Sequence, residues 1–277
     1  MSFIIKHIFV YPVKSLGGLE LGEAELCDTG LRYDRQYMIV DDDGKFLTQR
    51  EHRELALLKC SLQQGGIVVR SNDPNGTDSL VLKNDEEVDI DVPVSIWGDN
   101  CHAAGCSAEA DAFFSDYLKR RCRLVRLTDR TQRKVDSKYD RFGNITSFVD
   151  GYPLLLTGTA SLHDLNSKLS DKGEKTIGWD RFRPSIVVST EQPFEEDGWK
   201  NFMIGEFQFS GVKLCARCVV TTINQSDGTM TKEPLRTLAS YRTIDNKVYF
   251  GQNVISHQNH GVIRIGQELT PITNEGF

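Results

Sequence analysis

The sequence has no long hydrophobic run and no secretory signal. None of its apolar runs approaches the ~18 uncharged residues that a membrane-spanning helix requires. The N-terminal stretch MSFIIKHIFVYPVKS is interrupted by Lys6 and His7, and no small-residue cleavage site follows it. We therefore expect a cytoplasmic protein without a membrane partner.

The sequence also lacks the even, closely spaced cysteines of a disulfide framework. It has seven cysteines in 277 residues, an odd number in a chain long enough to form a core without covalent support. Cys27, Cys60 and Cys122 each stand alone among apolar neighbours, which predicts buried apolar packing.

An excess of positive charge is missing as well, since the net charge is −6, and this argues against stable nucleic-acid binding. The charge is unevenly distributed. Residues 118–141 contain ten Lys or Arg against three Asp, or +7, which leaves −13 for the remainder. This basic segment is either a solvated connection or a surface that attracts an anionic cofactor, a nucleotide or an acidic protein.

Short β-branched and aromatic runs separated by turn residues predict a mainly β fold with a few helices, in the α+β class. Such runs without regular βαβ alternation favour β-barrel architecture. The predicted strands cover residues 3–13, 35–41, 45–50, 65–71, 78–83, 92–98, 182–190, 202–214, 218–224, 247–256 and 261–272.

Two segments have helical periodicity. Residues 107–121 begin with Ser107 as a predicted N-cap, and residues 159–173 begin with Thr159 in the same role and end at Gly173. The basic segment is the best boundary between two closely packed parts. We place these parts at residues 1–118 and 119–277.

The stretch KLCARCVVTTI, residues 213–223, contains a Cys-x-x-Cys pair. A zinc site would need further ligands, for which Cys101, His102 and Cys106 are candidates. A thioredoxin-type pair would need a helix after its first cysteine, but the flanking residues are typical of strands. The pair could also be structural, or one thiolate could bind a metal that an organic cofactor carries. In that case Arg217 would favour the thiolate.

Seven motifs in series resemble the MOSC family, and most closely its bacterial YcbX and mitochondrial amidoxime-reducing component types. The resemblance extends over nearly the whole chain and implies a β-barrel N-terminal region packed on a MOSC β-barrel domain, with molybdenum cofactor bound between them. The motifs are YPVKS (11–15), GLRYDRQYMIV (30–40), FVDGYPLLLT (148–157), RFRPSIVVS (181–189), CARCVVTTI (215–223), KEPLRTLASYR (232–242) and FGQNVI (250–255).

The resemblance implies that Cys218 is the molybdenum ligand and that Cys215 is its packed neighbour. Asp150 is implied to orient groups or handle protons near the metal, although Asp before Gly is also common as a turn cap. Guanidinium groups suit the terminal phosphate of a pterin cofactor. The implied cofactor-binding residues are Lys14, Ser15, Arg35, Gly151, Tyr152, Arg183, Ser185, Ala216, Arg217 and Asn253.

At two positions the sequence departs from the family pattern. The family often has Ser where Ala216 stands and Asn where Ser185 stands. Side-chain hydrogen bonds at these positions are therefore lost or changed, whereas backbone contacts can persist.

The resemblance implies a molybdenum-dependent enzyme that removes oxygen from small N-hydroxylated compounds such as amidoximes and N-hydroxylated base analogues. Two electrons and protons complete the reaction. YcbX proteins commonly carry a C-terminal ferredoxin-type domain, but this sequence ends in ELTPITNEGF without its cysteines. We therefore expect a separate or removed ferredoxin-type donor with its reductase. The alternative is a cofactor or sulfur carrier without redox turnover.

Overall fold

The computed structural model describes residues 2–71, 79–83, 90–140 and 143–272. The turn predicted at residues 72–76 and Arg141 of the basic segment lie outside these residues. The described chain is mainly β with three α-helices, which confirms the predicted class. No helix in this part of the chain has the length and apolar character needed to cross a membrane.

The strands and helices are short and are distributed along the whole described chain. The strands are β1 (Phe3–Val10), β2 (Leu19–Leu21), β3 (Glu23–Cys27), β4 (Gly30–Leu31), β5 (Tyr37–Val40), β6 (Leu58–Gln63), β7 (Gly66–Ser71), β8 (Ser79–Lys83), β9 (Asp91–Ile96), β10 (Asp99–Gly105), β11 (Arg123–Arg126), β12 (Leu154–Gly158), β13 (Ile186–Val188), β14 (Asn201–Ile204), β15 (Phe207–Ala216), β16 (Thr243–Ile244), β17 (Lys247–Ser256), β18 (Val262–Arg264) and β19 (Glu268–Pro271). The helices are α1 (Ala108–Leu118), α2 (Thr159–Ser170) and α3 (Leu235–Ala239).

A closed seven-stranded barrel forms in the order β12-β13-β1-β19-β14-β15-β17, and pairing of β12 with β17 completes it. Strands β12 and β13 pair in parallel, which the helical crossover through α2 permits. The first-half strand β1 lies between β13 and β19. The barrel therefore requires the N-terminal residues of the chain.

The alternation of buried and exposed residues along β1 shifts by one position near the middle of the strand. Phe3 and Ile5 are buried, and then Ile8 and Val10 are buried, so the alternation shifts by one residue. The pairing with β13 has an irregularity between Ile5 and His7, where an extra residue rotates the strand. This bulge keeps both apolar pairs in the barrel core.

The remaining strands of the first half form separate small sheets. One sheet has the order β5-β11-β10-β9, another β6-β7-β8, and a third joins β18 to β3 and β4. Strand β11 belongs to the basic segment and lies between β5 and β10. Strand pairing thus crosses the residue 118/119 boundary, and the division of the chain there stays a prediction.

Three local predictions are wrong. Residues 219–222 of the run predicted as a strand form a 3₁₀ turn, because pairing of β15 ends at Ala216. Gly158, rather than Thr159, is the N-cap of α2, and Thr159 Oγ1 instead accepts a hydrogen bond from the backbone of Thr190. Residues 45–50, predicted as a strand, contain only the isolated bridges of Lys45 and Phe46.

The capping prediction for α1 is confirmed, because Ser107 Oγ accepts a hydrogen bond from Ala110 N at 3.3 Å. All seven cysteines are free thiols. Cys60 and Cys122 are buried as predicted, whereas Cys27 is only half-buried. Burial raises the pKa of the Cys60 thiol to about 12, so this sulfur is inert at neutral pH.

Barrel closure depends on a close backbone approach at Gly251. This residue has φ = +77°, and an added Cβ would lie 2.8 Å from the Leu156 carbonyl oxygen and 2.7 Å from Thr157 Cγ2. Gly65, at the β6–β7 turn, also has a positive φ of +97°, but an added Cβ there meets nothing within 4 Å. Substitutions at the two glycines therefore distinguish the cost of backbone strain, present at both, from the cost of steric overlap, present only at Gly251.

We expect Gly65→Ala to lower the free energy of unfolding by about 1–2 kcal/mol through left-handed strain alone. Gly251→Ala should lower it by a further ~1–3 kcal/mol, because strands β12 and β17 must also separate. Urea unfolding of both variants measures the difference. Equal losses in the two variants would show that the contact with β12 does not constrain closure.

Candidate cofactor site

One cavity of about 380 Å³ lies where loops from both halves of the chain meet the barrel. All twelve residues that the sequence analysis selected line it, namely Lys14, Ser15, Arg35, Asp150, Gly151, Tyr152, Arg183, Ser185, Ala216, Arg217, Cys218 and Asn253. The fold therefore brings together residues that are up to 239 positions apart in the sequence. Their individual roles stay predictions.

The Cys-x-x-Cys pair lies at an irregularity between β15 and β17. Leu214 pairs with Gln252 and Ala216 with Tyr249, so two steps on β15 oppose three on β17, and Gly251 lies at this bulge. The chain then leaves the sheet. Cys218 starts the 3₁₀ turn, and its carbonyl accepts a hydrogen bond from Thr221 N at 3.1 Å. The bulge and the turn direct this segment along the cavity wall.

Each sulfur of the pair has its own guanidinium donor. Arg50 Nη2 lies 3.2 Å from Cys218 Sγ, and Arg217 Nη1 lies 2.9 Å from Cys215 Sγ. The expectation that Arg217 favours a Cys218 thiolate is therefore wrong in its choice of residue. Arg217 turns back toward Cys215 and donates to the Phe182 carbonyl at 2.5 Å, and the position beside Cys218 is taken by Arg50.

Two further arginines share one aromatic ring. The guanidinium carbons of Arg35 and Arg183 lie 4.3 Å and 4.1 Å from the ring centroid of Tyr11. Arg35 also donates to the carboxylate of Asp34, which is buried. Burial and the nearby charge of Arg35 lower the pKa of Arg183 to about 10, so Arg183 is still a cation at neutral pH. The like charges remain close together and would be stabilised by an anion.

Three of the nine described non-glycine residues with a positive φ line the same wall. Ser15, Arg35 and Arg183 have φ values of 73°, 47° and 56°, in the left-handed region that L-residues disfavour. Backbone hydrogen bonds hold two of them in place: Arg35 N donates to Tyr11 O, and Arg183 N donates to Trp179 O, both at 2.9 Å. Strain of this kind is characteristic of functional sites.

A short polar chain joins Lys14, Asp150 and Trp97. Lys14 Nζ donates to Asp150 Oδ1 at 2.5 Å and to the Phe148 carbonyl at 2.7 Å, and Trp97 Nε1 donates to the same Oδ1 at 3.0 Å. Desolvation opposes ionisation of Asp150, but Lys14 and Trp97 outweigh it and hold the pKa of this carboxyl well below its usual value. Asp150 is thus a carboxylate and a hydrogen-bond acceptor at neutral pH.

Arg133 supports the segment that carries Asp150. Its side chain is buried, and Nη1 donates to the carbonyls of Ser147 and Val149 at 2.6 and 2.8 Å. Its Nη2 donates to Asp99 at 2.9 Å. The view of the basic segment as a wholly solvated or docking surface is therefore wrong for Arg133, because carbonyls that need donors surround this cation.

The other predicted residues contribute uncharged groups to the cavity wall. Ser185 Oγ accepts a hydrogen bond from Leu155 N at 3.2 Å, and Asn253 Nδ2 contacts the Leu214 carbonyl at 3.5 Å. An added Cβ on Gly151 would meet nothing within 4 Å. Ala216 is exposed at the end of β15. Burial, with a smaller effect of Asp136, raises the pKa of Tyr152 to about 12, so its hydroxyl stays protonated.

Sequence reasoning missed several lining residues, of which the polar or charged ones are Thr48, Gln49, Arg50, Arg181, Lys213 and Thr221. Arg50 is the most consequential, since it contacts Cys218 and lies 3.7 Å from Asp150. The run TQR that contains Arg50 ends the predicted strand at residues 45–50, and this pattern indicates β structure but no contact with Cys218. Gln49 positions this run by donating to the Ser15 carbonyl at 2.5 Å.

The donor set fits a cofactor with an anionic terminal group. In the described part of the chain, the wall carries seven Lys or Arg side chains and a single carboxylate. The Nε of Arg217 is buried and has no hydrogen-bond partner among these residues. Guanidinium groups pair with phosphate oxygens, so the cavity matches a phosphorylated pterin in charge and in donors.

The four-ligand zinc site considered for this sequence finds no support. Over the described ranges, no three His, Cys, Asp or Glu side chains gather closely enough to hold a metal ion. His102 Nδ1 instead pairs with Asp91 at 2.8 Å, and burial raises the pKa of the Cys101 thiol.

Comparison with known families and proteins agrees with this architecture. Residues 2–121 match the MOSC N-terminal beta barrel domain, and residues 144–270 match the MOSC domain. Mitochondrial amidoxime reducing component 2 from Rattus norvegicus is 33% identical over 88% of this chain and 74% of its own length. The Homo sapiens protein of the same name is 33% identical over 87% and 73%.

A second group of relatives is much longer. Molybdenum cofactor sulfurase from Oryza sativa subsp. japonica is 32% identical over 97% of this chain but only 35% of its own length. The chain thus spans about a third of the sulfurases that it matches. Both matches extend over most of the two consecutive domains of this chain, in which strand β1 of the first domain lies in the barrel of the second. The resemblance seen in the motifs is confirmed, and the chain belongs to the family of proteins in which a MOSC domain follows a MOSC N-terminal beta barrel domain.

Proposed function

We propose that this protein is a molybdenum-cofactor-dependent reductase of small N-hydroxylated compounds, with Cys218 as the metal ligand. The observation that carries the proposal is the position of Cys218 on the wall of a cation-lined cavity, where Arg50 lies 3.2 Å from its sulfur and 3.7 Å from the Asp150 carboxylate. The names of relatives, amidoxime reducing components and molybdenum cofactor sulfurases, support the same cofactor.

Arg35 and Arg183 would hold the anionic end of the cofactor, because both line the cavity and their guanidinium groups lie together over the ring of Tyr11. Arg217 would add its unpartnered Nε, and Lys213 and Arg181 add charge to the same wall. When bound, the molybdenum cofactor supplies a metal that accepts oxygen and cycles between oxidation states. The protein supplies the thiolate, the charge and a shaped cavity.

Arg50 would control the Cys218 sulfur. Its guanidinium reaches Sγ at 3.2 Å and leans toward Asp150 Oδ2 at 3.7 Å. A charged donor stabilises negative charge on sulfur and restricts the side chain to one orientation. Arg50 therefore keeps the ligand sulfur directed at the cavity.

Asp150 would act as an acceptor for substrate N–H or O–H groups. Because its pKa is held well below the usual value, the carboxylate has no proton to donate at neutral pH. Its side chain is 61% exposed, so the oxygen opposite Lys14 remains accessible to a ligand. Protons that the reaction consumes would then arrive through solvent, with Asp150 orienting the substrate.

Electrons would come from a ferredoxin-type donor with its reductase, and the reaction would take place in the cytoplasm. Basic residues outside the cavity, such as Arg121 and Arg123, are exposed and suit an acidic donor. Arg133 has no part in such docking, because its side chain is buried.

A second candidate function is a cofactor or sulfur carrier without redox turnover. It is favoured by the match of the sulfurases to 97% of this chain. The same cavity would then hold the cofactor without substrate turnover. Amidoxime reduction by the purified, molybdenum-loaded protein with a chemical reductant separates the two functions, since a carrier would bind molybdenum without turnover.

We expect Cys218→Ser to abolish molybdenum-dependent reduction of an amidoxime and Cys215→Ser to retain much of it. Only the first substitution removes the proposed metal ligand, whereas Cys215 is held by Arg217. Turnover, molybdenum content and thermal unfolding should be measured together. Equal loss of turnover in both variants, with zinc in the wild-type protein, would overturn the assignment.

We expect Arg183→Ala and Arg35→Ala to fail in different ways. Arg183→Ala should weaken cofactor retention roughly ten- to a hundredfold, because a charge-assisted contact contributes ~1.5–3 kcal/mol. Arg35→Ala should also lower the free energy of unfolding by about 3–5 kcal/mol, because it leaves the buried Asp34 carboxylate unpaired.

Elemental analysis and urea unfolding measure the two effects. Wild-type molybdenum content in Arg183→Ala would contradict the anchoring role. Unchanged stability in Arg35→Ala would contradict a structural role for its ion pair with Asp34.

A further inference from the structure

Trp97 occupies a backbone position that is unfavourable for tryptophan. It forms a two-residue turn with Gly98 between β9 and β10, where Ile96 pairs with Asp99. Trp97 has φ = 53° and Gly98 has φ = 97°, the two positive values of a type I′ turn. Asn or Asp is preferred at the first of these positions, because a bulky side chain there is strained. Turn formation alone does not explain an indole here.

The indole instead reaches the rim of the cofactor cavity. Trp97 is 51% exposed, although it is a large apolar residue. Its Nε1 donates to Asp150 Oδ1 at 3.0 Å, and the guanidinium carbon of Arg50 lies 4.5 Å from its ring centroid. Phe46 contacts it edge to face, with ring centroids 4.9 Å apart. These contacts hold the ring beside two cavity-lining residues while the rest of its surface stays open.

We infer that Trp97 is a substrate-recognition residue that selects planar, conjugated N-hydroxylated compounds. The inference rests on the proposed function and names the substrate class of that site. An aromatic substrate would stack on the open indole surface. Its N–C–N group would then meet the Asp150 carboxylate, which accepts hydrogen bonds from N–H or O–H groups. A small aliphatic substrate would use the carboxylate alone.

Two variants separate recognition from turn structure. Trp97→Asn removes the ring and installs the residue that the turn prefers, so thermal stability should be unchanged or higher. Trp97→Phe keeps an aromatic face but removes the Nε1–H donor to Asp150. The substrates are benzamidoxime and acetamidoxime, which share the reacting group and differ in the ring.

In Trp97→Asn, the ratio of kcat/KM for benzamidoxime to that for acetamidoxime should fall by about five- to tenfold, the usual effect of one aromatic stacking contact. Most of the change should be in KM for benzamidoxime. Trp97→Phe should keep most of the wild-type ratio. An unchanged ratio in Trp97→Asn would overturn the inference, as would an equal loss for both substrates, which would mean that Trp97 only positions Asp150 and Arg50.

A binding measurement decides the matter without turnover. Benzamidine, the reduced product, should quench the fluorescence of Trp97, which is 51% exposed, and Trp97→Asn controls for emission from the partly exposed Trp179 and the buried Trp199. The quenching should be lost in Trp97→Asn and absent with acetamidine. If wild-type protein reduces neither amidoxime, the proposed function fails, and the titration still tests recognition. Equal quenching in wild-type protein and Trp97→Asn would refute it.

Discussion

Crowding of like charges around one cavity is the constraint on which the rest of this structure depends. Lys14 pairs with Asp150, the single carboxylate on the described wall, whereas Arg183 donates to the backbone carbonyl of Leu16. Carbonyls satisfy the donors without neutralising the charge. Burial lowers the pKa of Lys14, and attraction to Asp150 opposes this shift. The cavity therefore keeps a positive potential. Apolar burial elsewhere in the fold must offset the repulsion between these cations, and a bound anion would reduce that repulsion.

Neither half of the chain builds this cavity alone. Strand β1 lies in the barrel, and the chain leaves it directly into the segment that carries Lys14 and Ser15. The first half also contributes Arg35 and Arg50, and the second half contributes the cysteine pair. The shared barrel strand ties the two sets of side chains to one framework. This explains how left-handed backbone can persist at Ser15, where the surrounding pairing determines the chain path.

The parts of the fold that could be predicted are those that depend on neighbours in sequence. Runs of β-branched and aromatic residues located β1 and β17, and Ser107 marked the start of α1 because a cap acts within one turn. The residues of the cavity wall came from family motifs, which carry long-range information that no spacing contains. Arg50 could not be found, since it meets Cys218 across 168 positions of sequence. Charge counting misjudged Arg133, because composition does not report burial.

The cysteine thiols differ in burial and in their hydrogen-bond donors. Cys60, Cys106 and Cys122 are buried, and burial raises the pKa of Cys60 and Cys122, so these sulfurs pack as apolar atoms. Cys215 and Cys218 are partly open and each has a guanidinium donor. The difference between the last two arises where β15 stops pairing. Cys215 is still in the strand and is covered by Arg217 of its own segment, whereas Cys218 has left it and faces Arg50 from the other half of the chain. The end of strand β15 therefore gives the two sulfurs of the pair different guanidinium partners.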